Sequence, residues 1–238
     1  MATKASNSSA EQNVGEIFSK SEQFIEKYQK QIIIGIVTVI VLVVAILGVR
    51  HGYLIPKERE AENAMFKAED LFGQNQYKLA LEGDSATIIG FEEIIDQYGF
   101  TKSANLAKAY AGICHYKLGD IESALKYLKD FSASDHMISP SIVGLIGDCY
   151  VDLAYADPSN VDKKKVEQGI DYFNKAASKA DNNLLSPIFL KKAALAYESL
   201  GNYKKALEIY KQIKDKHSDS LEGSNIEKYI ERVQSLIK

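Results

Sequence analysis

The chain of 238 residues contains no tryptophan, two cysteines, four prolines and four histidines, and these scarcities narrow its chemistry at once. His51, His115, His136 and His217 are scattered, and none has a metal-ligating partner at i+4, so no metal site is expected. No nucleophile elbow, phosphate-binding loop or dinucleotide fingerprint is present, so neither an enzyme nor a bound cofactor is expected. Glu92, Glu93 and Asp96 form a local acidic cluster of the kind that usually lies on a solvated helix face. A clustered basic face is missing too. In the N-terminal tail Lys4, Lys20, Lys27 and Lys30 balance Glu11, Glu16, Glu22 and Glu26, and Arg50 adds one positive charge. The formal net charge of −3 therefore becomes −4 over residues 51–238, which argues against nucleic acid as a partner.

What the chain does have is Ile32 to Val49, eighteen positions without a charge. As a helix rising ~1.5 Å per residue this run spans about 27 Å, close to the ~30 Å hydrocarbon thickness of a bilayer. Six Ile, six Val and Thr38 are β-branched and favour a strand locally. The run is too long for a buried strand, however, and lipid forces every peptide group to pair within its own segment, so a transmembrane helix over 32–49 is predicted. The run exceeds the apolar core of a cleaved signal peptide, and the following GVRHGYLIPKERE offers no small-x-small cleavage site; an uncleaved single-span anchor is expected. Lys20, Lys27 and Lys30 before it match Arg50, Lys57 and Arg59 after it, so flanking charge gives no orientation. An internal tail with an exported C-terminal domain is the commoner arrangement for such anchors.

Residues 1–31 form an N-terminal tail. Its first thirteen positions are small and polar and read as disordered, after which Val14, Ile17, Phe18, Ser21, Phe24, Ile25 and Tyr28 mark one face of an amphipathic helix. Gly48 and Gly52 make only a weak GxxxG pattern, since Arg50 and His51 lie between them. Residues 50–56 read as a linker. Pro56 can start a helix carrying Ala61, Ala64, Met65, Ala68, Leu71 and Phe72 on one face, and Gly73 to Ser85 reads as a stretch of lower order.

The remainder repeats. Residues 187–220, PIFLKKAALAYESLGNYKKALEIYKQIKDKHSDS, place Ala194 and Tyr197 before a Leu200-Gly201-Asn202-Tyr203 turn, followed by Ala206, Tyr210 and Ile213. Residues 105–138 put Gly112, His115, Leu118-Gly119-Asp120-Ile121, Ala124, Leu128 and Phe131 in the same places. The small residues let two helices cross closely, larger ones fill the groove beside them, and the turn glycine takes positive φ. A third copy runs from Gly147 and Tyr150 to Gly169, Phe173 and Ala176, with about ten extra residues around Asp157-Pro158-Ser159-Asn160. A degenerate copy precedes these, with Gly90, Ile94 and Gln97 one period before Ala124, Leu128 and Phe131, a first helix from Pro56 and a long inter-helix loop. This pattern resembles the tetratricopeptide repeat over about residues 57 to 220, without the tryptophan and proline often found in that family. The fold expected is all-α: one N-terminal transmembrane helix, then a tetratricopeptide-like α-solenoid of about four helix pairs over 57–223. A capping helix over 224–238, opened by a Ser224–Glu227 capping box, closes it.

Cys114 and Cys149 share one phase in consecutive first helices. Packed axes ~8–10 Å apart exceed the ~5.5–6 Å Cα separation of a disulfide, so two buried free thiols are expected. His115 stands where Tyr150 and Tyr197 stand and is expected to pack in the core.

On the repeat register the first helices line the concave side. They present Ala109, Ile113, Tyr116 and Lys117, then Gly144, Asp148 and Asp152, then Lys191, Leu195 and Glu198 as candidate peptide-binding residues. The carboxylate-clamp subtype needs paired Lys, Asn and Arg there, and Leu195 stands where an Asn is required. The same face could instead pack on the N-terminal helix of the chain or on a second copy. Anchor, short tail and repeat domain together resemble the ancillary tetratricopeptide subunits of the bacterial SecYEG translocon, the YfgM type. The resemblance implies a single-pass inner-membrane protein with a periplasmic domain. Its partners would be the SecYEG translocon, a membrane-anchored periplasmic prolyl isomerase and nascent chains. The alternatives are a cytosol-facing receptor or scaffold, and a homo-oligomeric structural subunit.

Overall fold

The computed structural model describes residues 5–84 and 87–237, with side chains from residue 27 onward. It divides into two compact units at Pro56/Lys57. In the first, α1 (Ala5–Val49) is followed by a π-helical turn at Arg50–Leu54, so the stretch expected as a linker is helical. An 18-residue apolar window here has a mean hydropathy of 3.3 and none of it is buried. Thr38, its one side-chain hydroxyl, donates to the Ile34 carbonyl at 2.8 Å, so a helix surrounded by lipid would leave no polar group unpaired. Residues 5–13, expected without order, continue α1 at their backbone, where each added residue gains one ladder hydrogen bond. The apolar face expected over Val14 to Tyr28 lies, as far as residue 26, outside the described side chains.

The second unit is helical, with a single isolated β-bridge, Gly83–Ile89, among the described residues. It contains α2 (Ile55–Gly73), α3 (Tyr77–Glu82), α4 (Phe91–Tyr98), α5 (Lys102–Leu118), α6 (Ile121–Asp130), α7 (Ile138–Ala154), α8 (Lys163–Ala180), α9 (Ser186–Ser199), α10 (Tyr203–Lys216), α11 (Leu221–Ser224) and α12 (Glu227–Leu236). Helices α5/α6, α7/α8 and α9/α10 are antiparallel pairs, and each pair packs on the next. The crossings are as close as the small residues promised. A Cβ on Gly147 would lie 2.6 Å from the Phe173 ring, and one on Gly169 would lie 3.0 Å from the Gly147 carbonyl oxygen. One turn recurs in all pairs but α7/α8: Gly119 (φ 85°) and Gly201 (φ 74°) end the first helix, and the next amide reaches back to His115 or Tyr197. Asp120 and Asn202 then cap the second helix, accepting from the amides of Ser123 and Lys205.

Three expectations need correction. The stretch expected to be of lower order from Gly73 is ordered as far as Asp84, Ser85 lying outside the described residues: Asn75 adopts φ 60°, the Gln76 amide bonds the Leu71 carbonyl, and α3 follows with Ala80 and Leu81 buried. Asparagine here takes the place of the turn glycine. The long inter-helix loop of the first pair is instead an insertion within its second helix. Ala124 follows Ala80 by 44 positions while Leu128 follows Ile94 by 34, so about ten residues are inserted where α3 passes into α4. The Gly83–Ile89 bridge closes that insertion, and the Asp84 carboxylate accepts from the Thr87 and Ile88 amides at 2.7 Å. Finally, Ser224 and Glu227 form no capping box. Ser220 caps α11 by accepting from the Gly223 amide, and α12 begins at Glu227 with no side-chain cap. Ile226, Ile230 and Val233 still bury its inner face in the core formed with α8, α9 and α10.

Candidate peptide-binding face

The first helix of each pair is tied to the next by polar side chains. The Glu58 carboxylate on α2 accepts from the amides of Lys102 (2.9 Å) and Ser103 (3.0 Å) and from the Ser103 hydroxyl (2.8 Å) at the start of α5. Tyr116 on α5 donates to Asp152 on α7 at 2.8 Å. Asp148 on α7 receives both of its contacts from Lys192 on α9, at 2.6 and 2.8 Å. Glu198 on α9 accepts from Arg232 on α12 at 2.7 Å and from Tyr210 at 2.5 Å, and Lys191 lies 4.9 Å from the Tyr229 ring centre on α12. These links join the helices side by side in the same direction, as a ladder across the stack.

The ladder sorts the sequence candidates. Ala109, 3% exposed, packs with Ile142 and Ile146, and Phe189 covers Gly144, so neither can touch a ligand. Tyr116, Asp148, Asp152, Lys191 and Glu198 lie together as expected but are engaged between helices. Ile113 is half-buried, while Lys117 and Leu195 face solvent, Leu195 at 41% exposure. Sequence reasoning missed Lys192 and Arg232. The signal that could have found them is opposite charge one repeat apart: Arg232 follows Glu198 by 34 positions, and Lys192 follows Asp148 by 44, one repeat plus the ten-residue insertion.

Burial shapes the electrostatics of this face. Burial raises the Asp148 carboxyl above its ordinary value, against the pull of Lys192, so the pair holds a charge that water would otherwise stabilise better. Burial, together with its hydrogen bond to Glu198, likewise pushes the Tyr210 phenol far up, leaving it a donor at any ordinary pH.

His115 packs as expected, its side chain 12% exposed and stacked on Tyr127 at 5.3 Å. Its Nε2 lies 3.1 Å from Glu92 and its Nδ1 3.3 Å from Asp120, so Glu92, partly exposed, is also a structural partner, while Glu93 and Asp96 face solvent as expected. Tyr127 also donates to Glu92, at 2.9 Å. Cys114 and Cys149 are buried free thiols, each pushed up to about 12 chiefly by burial, and so are poor nucleophiles. Among the described residues no group of three His, Cys, Asp or Glu side chains could hold a metal ion.

Comparison with known proteins agrees with this geometry. Residues 190–220, most of α9 and α10, match the tetratricopeptide repeat family. No curated protein matches the chain. Two crystal structures of nearly identical TPR-like repeats from a candidate kinesin light chain of Podosopora anserina, one of them a point variant, superpose with a TM-score of 0.53. Each is 14% identical and covers 76% of this chain and 87% of its own. At that identity the likeness concerns the fold alone. The repeat match over one helix pair, the recurring turn and the likeness to these solved structures agree on an all-α stack of tetratricopeptide-like helix pairs.

Proposed function

We propose that the chain is a membrane-tethered interaction module, held in a bilayer by Ile32–Val49 and engaging polypeptides through the ladder face of α5, α7 and α9. The observation that carries this reading is an apolar helix with none of its apolar window buried, on the same chain as a repeat stack that covers its own core. Around the ladder, Ile113, Lys117 and Leu195 would meet an extended or helical peptide, with Tyr116, Asp148, Asp152, Lys191 and Glu198 as the polar frame and Ala109 beneath it. A tether raises the effective concentration of a weak peptide binder wherever chains emerge. This arrangement supports the role of an ancillary SecYEG translocon subunit of the YfgM type in the inner membrane. The domain would then be periplasmic, beside a membrane-anchored prolyl isomerase and nascent chains.

Mild detergent extraction of the full chain, followed by identification of what co-purifies, tests this. Recovery of translocon subunits is expected. Recovery of the chain with only copies of itself would favour a self-assembling subunit and end the adaptor reading. A reporter after Lys238 active in the cytosol would replace the exported domain with a cytosol-facing receptor or scaffold.

A further inference from the structure

Helices α6, α7 and α8 enclose a groove on the side of α7 away from the ladder. At 3.6 residues per turn Ile142, Val143 and Ile146 point to the opposite side of α7 from Asp148 and Asp152, so the two surfaces are separate. Leu128, Ile142 and Ile146, each at most 5% exposed, form the floor of the groove, and the partly buried rings of Phe131 and Tyr172 form its walls. Its volume of about 190 Å³ is below the ~300 Å³ at which small-molecule sites begin. A cofactor-sized molecule is therefore too large for it, whereas one or two side chains of a peptide are not.

Lys129 on α6 and Lys175 and Lys179 on α8 stand around this floor, and among the described residues no carboxylate lines the groove. The three ammonium groups rest on neutral partners instead. Lys129 donates to the Tyr150 hydroxyl at 2.7 Å, Lys179 donates to the Ala133 carbonyl at 2.9 Å, and Lys175 lies 6.0 Å from the Tyr172 ring centre. Elsewhere in the stack Lys165, Lys192, Lys214 and Arg232 each pair with a carboxylate. The acidic groups nearest in sequence do not serve here: Asp135 accepts from the amides of Met137, Ile138 and Ser139, and Asp130 and Asp171 lie outside the lining. Three like charges around an apolar floor repel one another, and an anion placed among them removes that cost. This local excess of positive charge stands against an acidic chain, so the groove attracts what the rest of the surface repels. We infer that the groove between α6 and α8 is a second polypeptide-binding site, which takes a short acidic segment with an apolar side chain between its carboxylates. The apolar side chain covers Leu128, Ile142 and Ile146, and the carboxylates meet Lys129 from one side and Lys175 and Lys179 from the other.

The test titrates the full chain in detergent micelles into fluorescein-labelled peptides and reads anisotropy. The probes are Asp-Leu-Asp-Leu-Glu, an Asn-Leu-Asn-Leu-Gln counterpart without charge and an Asp-Ser-Asp-Ser-Glu counterpart without the apolar side chains. The first is expected to bind roughly tenfold or more tightly than either counterpart, and to weaken as salt rises from about 50 to about 500 mM. Lys129 and Lys175 are exposed, so both can be replaced with little risk to the fold. Lys129→Gln/Lys175→Gln should weaken the first peptide roughly tenfold at unchanged circular dichroism, Lys129→Arg/Lys175→Arg should retain it, and Lys117→Gln on the ladder face should leave it unaltered. Absence of binding, or equal affinity for the wild type and the Gln pair, overturns the inference. Equal binding of the uncharged peptide reduces the groove to an apolar contact, and equal binding of the serine peptide reduces it to an anion site; either result overturns it too. Weakening by Lys117→Gln but not by the Gln pair moves the peptide to the ladder, which overturns the second site and leaves the ladder reading standing.

Discussion

Isoleucine, valine and leucine do opposite things on the two sides of Pro56. All fourteen of those between Ile32 and Val49 are exposed, whereas Ile94, Leu128, Ile170, Ile213 and Val233 in the repeat stack are at most 1% exposed. The residues are the same, and the pattern around them differs. The N-terminal run has no polar face, so nothing within it can be turned toward water. The stack spaces its apolar positions at helical period and sets glycine or alanine where helices cross, so that each apolar face meets another. Hydrophobicity states only that a group avoids water; patterning decides whether lipid or protein replaces it.

The largest test of this contrast replaces both Ile40 and Val44 with Arg. Each central arginine costs about 3 kcal/mol on the insertion scale, so alkaline extraction should release the double variant from membranes while the circular dichroism of the stack persists. Retention in the alkaline pellet would show that the run is not what holds the chain. On the other side of the contrast, Phe173→Ala opens a cavity beside Gly147 and should lower stability by about 3–5 kcal/mol in urea unfolding, with membrane retention unchanged. Glu198→Ala sharpens the role of the ladder. It leaves the buried Tyr210 hydroxyl without its acceptor and should cost about 1–3 kcal/mol, whereas Glu198→Gln, which keeps an acceptor oxygen, should cost less in the same assay.

The smallest effect concerns Glu58. Burial raises its carboxyl, but hydrogen bonds from Lys102 and Ser103 outweigh that and hold it below its ordinary 4.5. A depressed folded-state value means stability that is present above about pH 4.5 and lost as pH falls through the folded value. Glu58→Gln should therefore cost about 1 kcal/mol at neutral pH, with the gap from wild type closing on acidification in pH-dependent urea melts. A gap that stays constant with pH would show that the carboxylate charge plays no part.

The sequence made the regular copies easy to read and hid the irregular one. Around Gly201 and Gly119 the turn glycine, the cap four residues before the next alanine and the small–large crossing pair all recur at a fixed period, so local chemistry and packing agree. In the first pair Asn75 replaces the glycine and an insertion splits the second helix into α3 and α4. The Tyr77–Ala80 copy of Tyr203–Ala206 was therefore in view but out of period. At the ladder, position on the repeat located Tyr116, Asp148, Asp152, Lys191 and Glu198 together. Period alone cannot tell whether a charge faces a ligand or the neighbouring helix, because both lie on the same side of an α-helix. That depends on side-chain reach, which here spends the polar groups between helices and leaves Lys117 and Leu195 to solvent. The Ser224–Glu227 spacing matched a capping box, but Ser220 had already started a short turn upstream.

The central claim is that a helix suited to lipid carries a stack that grips other polypeptides. The most direct measurement places a photo-activatable residue at Leu195 of the full chain and irradiates intact membranes, with the same probe at Leu118 as reference. The account predicts adducts with other polypeptides from Leu195, translocon subunits or emerging chains among them, and few from Leu118. Adducts from Leu195 to a second copy of this chain alone, or none at all, would contradict it.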